Sequence, residues 1–193
     1  MTNVTIDTNC VIDLENHADT AAALSQLVRL AKSGAIRLRI VAISASEKQQ
    51  SVPIENFTQF QERLSEVGLG GCEILSPMGY LPLCFVGHVL CMDENALENG
   101  IHKILFPHIE FDYASYCHSK GINITSDLID AKWANKKCDV QCYWSHCYHG
   151  GGVFVTSDEN FHKSSKKSRL EQLGNSRISR PADALALLES MSN

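Results

Sequence analysis

Two aspartates stand where predicted strands end, and this is a position that suits metal chemistry. Asp7 directly follows residues 4–6 (Val-Thr-Ile), and Asp158 comes shortly after the apolar residues 153–155. In a parallel sheet the carboxyl ends of the strands lie at one edge, and ligands bind just beyond that edge. The sequence therefore predicts that the side chains of Asp7 and Asp158 lie close together.

Two further acids are predicted to join them. Glu47 follows the apolar residues 40–43, and Asp139 opens a helix predicted over 139–149, before the strand at 153–155. Converging carboxylates repel one another unless a cation lies between them. Hard divalent cations prefer oxygen ligands, so a carboxylate group favours Mg²⁺ or Mn²⁺ over Zn²⁺. The predicted metal ligands and catalytic residues are Asp7, Glu47, Asp139 and Asp158.

Each acid taken alone also has an ordinary structural explanation. An aspartate after a strand is often a helix N-cap or a turn residue, which applies to Asp7 and Asp158. Glu47 suits the first turn of a helix, where it opposes the helix dipole. Asp127 and Asp130 are alternatives to Asp139, but they lie too far before the strand at 153–155 for a single intervening helix. The metal hypothesis depends on all four acids meeting at one edge.

Alternating strand and helix patterns must bring these acids together. Each predicted strand is followed by at least one predicted helix, and Pro181 suits the first turn of the last one. Strands are predicted at 3–7, 36–43, 73–75, 153–155 and 176–178. Such alternation favours a three-layer α/β/α fold with a central parallel sheet. The chain of 193 residues fits one domain, 1–193, with an inserted helical or loop segment at about 76–108.

The first and last acidic motifs resemble those of PIN-domain nucleases. Residues 6–9 (Ile-Asp-Thr-Asn) are similar to the opening motif of that family, and residues 153–161 are similar to its last acidic motif. The sequence around Ser46 and Glu47 resembles the second PIN acid, and Asp139 has the spacing of the third. The resemblance covers roughly residues 3–67 and 108–190, and residues 68–107 lie outside it.

The resemblance implies a PIN-like fold and a metal-dependent ribonuclease activity. A water activated by Mg²⁺ or Mn²⁺ would attack a phosphodiester in line, with RNA preferred over DNA on family grounds alone. The residues expected to orient carboxylates or water are Asn9, Thr156 and Asn160. Further expected partners are a second copy in a homodimer or an inhibitory partner protein. The chain is longer than the small toxin members of the family.

A run of basic residues follows Asp158 and could contact the phosphates of a substrate. The predicted substrate-binding residues are His162, Lys163, Lys166 and Lys167, and Lys136 and Lys137 could extend the patch. A solvated helix face explains the same run equally well. The net charge of −5 is unusual for a nucleic-acid binder, although binding depends on a local patch rather than on the total charge.

The cysteines could form disulfides, bind zinc or pack in the core. There are eight, but the N-terminus has neither the basic nor the apolar region of a signal peptide, and no apolar run is long enough for a membrane span. We therefore expect a cytoplasmic protein with reduced thiols and no membrane association. Cys138, Cys142 and His146 share a helical face and could bind Zn²⁺, but the usual C-x₂-C pair is missing. Packing of small apolar thiols is the favoured interpretation.

Two other functions compete with a nuclease. A PIN-like fold without activity would serve as an RNA- or protein-binding module, although all four acids are present. A phosphatase of the haloacid dehalogenase type needs a second aspartate two residues after the first, and this chain has Asn9 there. The glycines at 150–152 fit neither nucleotide-binding glycine pattern, so they predict a helix stop rather than a phosphate loop.

Overall fold

Five strands and nine α-helices make up the part of the chain that a computed structural model describes, namely residues 1–45, 57–79, 90, 96–123 and 129–192. The strands are β1 (Thr2–Ile6), β2 (Ile36–Val41), β3 (Glu73–Leu75), β4 (Val153–Val155) and β5 (Arg177–Ser179). The helices are α1 (Thr8–Glu15), α2 (Ala21–Lys32), α3 (Phe57–Glu66), α4 (Ala96–Leu105), α5 (Tyr113–Lys120), α6 (Ala131–Tyr148), α7 (Glu159–His162), α8 (Ser164–Gly174) and α9 (Pro181–Ser192). A short 3-10 helix, Ala42–Ala45, follows β2.

The strands form one parallel sheet in the order β3-β2-β1-β4-β5. From β1 the chain moves outwards to β2 and β3, and it then crosses to the other side of β1 for β4 and β5. The strand order therefore reverses between β1 and β4, where Ile6 pairs with Val155. Open parallel sheets bind ligands at such a reversal, in the crevice at the carboxyl ends of the strands.

Helices cover both faces of the sheet, and alternating side chains divide the core into two apolar clusters. In β1, Val4 and Ile6 belong to the cluster that includes residues of α1, α2 and α9. In β4, Phe154 belongs to the opposite cluster, which includes residues of α4, α6 and α8. Successive side chains of a strand point to opposite faces. The predicted three-layer α/β/α architecture with a parallel sheet is confirmed.

One predicted helix boundary was wrong. The helix before β4 begins at Ala131 rather than at Asp139, and it continues without a break to Tyr148. Asp130 caps it, because its Oδ1 accepts a hydrogen bond from the backbone N–H of Trp133 at 3.0 Å. The assumption that a single helix could not span this distance was therefore incorrect, and Asp139 lies in the middle of α6.

The segment predicted as an insertion contributes to the core. Helix α4 packs against both α6 and α8, and it buries Ile101 and Leu105 in the same cluster as Phe154. Whether residues 76–108 are an insertion into a smaller domain stays a prediction. Within the described ranges, no helix is both long and apolar enough to cross a membrane.

Candidate active site

Asp7 lies at the end of β1 and begins α1. Its backbone N–H donates to the carbonyl of Val155 at 2.9 Å, which extends the β1–β4 pairing by one residue. Its Oδ1 accepts a hydrogen bond from the backbone N–H of Thr8 at 2.8 Å, so the side chain is the N-cap of α1. The ordinary cap explanation of Asp7 is therefore correct, and it accounts for one of the two carboxylate oxygens.

The second oxygen of Asp7 is held by residues of both motifs. The hydroxyl of Thr156 donates to Oδ2 at 2.7 Å, and the side-chain amide of Asn9 donates to the same oxygen at 3.0 Å. The Asn9 amide also donates to Thr156 Oγ1 at 3.0 Å. Because these partners come from α1 and from the loop after β4, the network joins the two strand ends that flank the reversal.

Thr156 also determines the position of Asp158. Its Oγ1 accepts a hydrogen bond from the backbone N–H of Asp158 at 3.0 Å. The Oδ1 of Asp158 in turn accepts from the backbone N–H of Asn160 at 2.8 Å, which makes Asp158 the N-cap of α7. Asn160 orients this carboxylate through its backbone, while its own side-chain oxygen accepts a hydrogen bond from Lys166.

Three of the four predicted acids line one cavity of about 310 Å³, which we name the acidic pocket. It lies beyond the carboxyl ends of β1 and β4, and Asp139 reaches it from α6. Its lining residues are Asp7, Asn9, Ile12, Asp139, Ser157 and Asp158. Glu47, the fourth acid, and Asp127 lie outside the described residues. Asp130 caps α6 and does not line the pocket.

The carboxyl group of Asp7 is buried, and this opposes its ionisation. Its pKa is raised, mainly because burial disfavours the charged form, and the nearby charge of Asp158 raises it further. Hydrogen bonds from Thr156, Thr8 and Cys142 lower the pKa and offset part of this effect. A positive charge in the pocket would favour the ionised form of the Asp7 carboxyl group.

The donor chemistry of the acidic pocket fits a hard cation, but the pocket is not a preformed ligand cage. Within the residues that the structure describes, no three His, Cys, Asp or Glu side chains are grouped closely enough to hold one ion. Mg²⁺ usually keeps several of its waters and needs only one or two protein carboxylates. The carboxylates of Asp7, Asp139 and Asp158 around a cavity of water-holding size meet that requirement.

The predicted basic patch is only partly a free surface. Lys163 is exposed between α7 and α8, and Lys167 is partly exposed. His162 donates a ring N–H to the carbonyl of Thr156 at 2.8 Å, and Lys166 donates to the carbonyl of Leu105 at 2.6 Å. His162 therefore holds the loop after β4, and Lys166 holds the end of α4.

The extension of this patch to Lys137 was wrong. Its side chain is 1% exposed, and its ammonium lies 2.6 Å from the carboxylate of Glu98. Lys137 therefore faces α4 inside the protein, while its neighbour Lys136 is partly exposed.

The sequence analysis did not single out Ser157, which lines the pocket, or Asp13, which holds it in place. The hydroxyl of Ser157 donates to Oδ2 of Asp13 at 2.9 Å, and the hydroxyl of Thr20 donates to the same oxygen at 2.6 Å. The backbone N–H of Ser157 donates to Asn9 at 3.1 Å. Asp13 thus ties the loop that carries Asp158 to α1, and no local pattern in the sequence signals a pairing over such a distance.

The face of α6 that carries Cys138, Cys142 and His146 is packed in the core against the sheet. All three side chains are buried, and Cys142 hydrogen-bonds with Asp7. The Nδ1 atom of His146 lies 2.8 Å from the hydroxyl of Thr5, while its Nε2 has no hydrogen-bond partner within the described chain. The packing interpretation of this face agrees with the structure.

This burial of His146 predicts a loss of stability in acid. The pKa of its ring is lowered to about 3, because burial disfavours the charged form and Arg39 lies nearby. In the unfolded chain the pKa is about 6.5, so the unfolded state binds the proton more readily and stability falls as the pH drops below about 6.5. Between pH 6 and pH 5 the free energy of unfolding should decrease by about 1 kcal/mol through this residue.

Urea unfolding of the wild type and of His146→Asn at both pH values measures this contribution. Asparagine can keep a hydrogen bond to Thr5 and does not titrate. Equal losses of stability in the two proteins would show that His146 is not the acid-sensitive group.

Comparison with known proteins identified no relative of this chain. No protein-family profile, curated protein or solved structure matches the chain. The interpretation of its function therefore rests on its own residues and their geometry.

Proposed function

We propose that this chain is a metal-dependent nuclease with a PIN-like fold, which hydrolyses phosphodiester bonds, with RNA as the expected substrate. The observation that carries the proposal is the acidic pocket itself. Asp7, Asp139 and Asp158 come from three separate elements and line one cavity at the reversal of strand order. The motif around Asp7 and the motif around Asp158, which carry the PIN resemblance, are joined there by direct hydrogen bonds.

The cation would be held by the carboxylates of Asp7, Asp139 and Asp158, by one or two of them directly and by the others through its waters. When bound, Mg²⁺ or Mn²⁺ lowers the pKa of a water and neutralises charge on phosphoryl oxygens. Thr156 and Asn9 hold one oxygen of Asp7 in place, and the N–H of Asn160 holds one oxygen of Asp158. Fixing the carboxylates by neighbouring donors tunes such a site and keeps its geometry.

A second candidate is a binding module without catalytic activity. The observation that favours it is the lack, among the described side chains, of three metal-ligating groups already gathered around one point. Such a module would bind nucleic acid at the same edge of the sheet and would not cleave it.

The decisive experiment is a cleavage assay on mixed RNA and single-stranded DNA with Mn²⁺, with Mg²⁺ and with EDTA. The wild type should cleave in the presence of metal only. Asp7→Asn should lower the rate at least about 100-fold, since even the loss of residues that only support metal ligands costs 10- to 100-fold. Glu189→Gln, which removes one exposed charge on α9, is the matched control and should cleave at the wild-type rate.

The two candidates give different results in this assay. Cleavage that survives both EDTA and the Asp7 substitution would overturn the proposed chemistry. Binding of either nucleic acid without cleavage under any metal condition would favour the binding module.

A further inference from the structure

An aromatic ring at the end of α4 has a lysine of α6 and a lysine of α8 against it. Phe106 follows the last residue of α4 and is partly exposed. The ammonium groups of Lys136 on α6 and Lys166 on α8 each lie over this ring, 5.9 Å from its centre. We name these three residues the Phe106 platform.

The platform is placed next to the acidic pocket by contacts on both sides. Lys136 lies one helical turn before Asp139 on α6, and the two charges influence each other. Lys166 donates a hydrogen bond to the side chain of Asn160, whose backbone N–H donates to the carboxylate of Asp158. The ring therefore stands between one residue linked to Asp139 and another linked to Asp158.

The position of the ring is fixed by the backbone. The N–H of Phe106 donates to the carbonyl of His102 at 2.7 Å, and Lys166 donates to the carbonyl of the preceding Leu105 at 2.6 Å. The ring of His102 meets that of Phe106 edge-on, with 6.2 Å between their centres. A ring held in this way loses little freedom when a flat ligand stacks on it.

Several amines lie near the ring and favour the binding of an anion. Lys136 has Lys132 and Lys120 nearby, and Lys166 has Lys163 nearby. The pKa of both Lys136 and Lys166 is lowered, first by burial and then by these neighbouring amines. The charges of Asp130 and Asp139 raise the pKa of Lys136, and that of Asp158 raises the pKa of Lys166, so these five amines face three carboxylates. In a chain with a net charge of −5, such a concentration of amines beside the acidic pocket is a local positive patch.

From this geometry we infer that the Phe106 platform binds one nucleotide of a single strand, with the base stacked on Phe106 and the adjoining phosphates against Lys136 and Lys166. Aromatic rings and amines combine in this way in proteins that bind single-stranded nucleic acid. The inference rests on the proposed function for its choice of ligand, and it assigns three residues to the recognition of the strand beside the cleaved bond.

Binding of a fluorescein-labelled oligouridine of about ten nucleotides, measured by anisotropy in EDTA, tests the platform without cleavage. Phe106→Leu keeps the apolar volume and removes the aromatic face, so affinity should fall about ten-fold, while Phe106→Trp should keep it. A duplex of the same length should bind the Leu variant and the wild type equally, because its bases are already stacked. Lys136→Gln and Lys166→Gln should each reduce the slope of log affinity against log salt by about 0.7.

Matched controls lie at the other end of the sheet. Tyr148→Leu removes an exposed ring at the end of α6, and Lys32→Gln removes an amine at the end of α2. Neither should change the affinity or the salt dependence. Thermal melting of Phe106→Leu and Phe106→Trp establishes that both variants are folded.

The outcomes separate this inference from the proposed function. If Phe106→Leu is folded and binds the oligouridine as tightly as the wild type, the platform is refuted, even if the chain cleaves RNA. If Phe106→Leu weakens binding and the wild type cleaves nothing with any metal, the platform stands and the nuclease proposal fails.

Discussion

Replacing Thr156 with valine should lower the rate of the proposed RNA cleavage roughly 10- to 100-fold, the range expected when a proposed metal ligand such as Asp7 loses a supporting partner. The hydroxyl of Thr156 donates to Oδ2 of Asp7 at 2.7 Å and accepts the backbone N–H of Asp158 at 3.0 Å. Valine has the same shape but cannot make either bond. The side chains of Asp7 and Asp158 would then lose the hydroxyl group that holds them in position relative to each other.

Stability should change as well, because Thr156 is fully buried. The valine variant leaves the N–H of Asp158 and one N–H of Asn9 without this acceptor. Because both donors are partly buried, the loss should lie near the lower end of the roughly 1–3 kcal/mol that an unsatisfied buried donor costs. Urea unfolding measures this loss, and the cleavage assay under conditions where both proteins are folded measures the rate separately.

Two variants distinguish positioning from general damage. Thr156→Ser keeps the hydroxyl and should retain most of the cleavage rate. Thr5→Val removes another fully buried hydroxyl on the adjacent strand, one that contacts His146 rather than the acidic pocket. It should lower stability with little effect on the rate. Equal loss of activity in Thr156→Val and Thr5→Val would show that Thr156 has no special role.

Strand-level features of the site could be predicted because they are local in the sequence. Short apolar runs end at Asp7 and just before Asp158, and parallel strands bring their carboxyl ends to one edge. The alternation of elements then places the two motifs next to each other once β4 pairs with β1. Local patterns of this kind determined the predicted architecture and the pairing of the two motifs.

Features that depend on long-range packing could not be predicted. Lys136 and Lys137 were predicted to extend the basic patch just before a helix starting at Asp139, but Lys137 is buried, with Glu98 of α4 as its partner. The true helix start does have a local signal. Aspartate is a common N-cap residue, and Asp130 stands directly before Ala131, the first residue of α6. Asp139 was nevertheless predicted as the helix start, because Asp130 was judged to lie too far from the strand at 153–155.

The buried pair of Glu98 and Lys137 should be the most sensitive point of the α4–α6 contact. Their side chains are 4% and 1% exposed, and the nearest charged atoms are 2.6 Å apart. Burial lowers the pKa of Lys137, while the charge of Glu98 raises it. Glu98→Gln would leave the ammonium buried beside a neutral amide, and breaking a buried pair in this way costs about 3–5 kcal/mol.

The partners of the pair determine which double variant is informative. Glu98 also accepts a hydrogen bond from the side-chain amide of Gln141 at 2.5 Å. An apolar residue at position 98 would leave that amide without this acceptor. Glu98→Gln keeps an acceptor there, and Lys137→Met fills the space of the lysine stem against the ring of Phe111, now 4.0 Å from the ammonium. The double variant should therefore recover most of the stability that each single variant loses.

Urea unfolding of the wild type, both single variants and the double variant measures the coupling between the two charges. Because α6 carries Asp139 and α4 ends beside Phe106, the single variants should also weaken cleavage and oligouridine binding, and the double variant should restore both. Losses below about 1 kcal/mol in both single variants, as for an exposed ion pair, would show that water reaches these charges. In that case α4 would be held to α6 by its apolar residues alone, and the position of Asp139 would not depend on the pair.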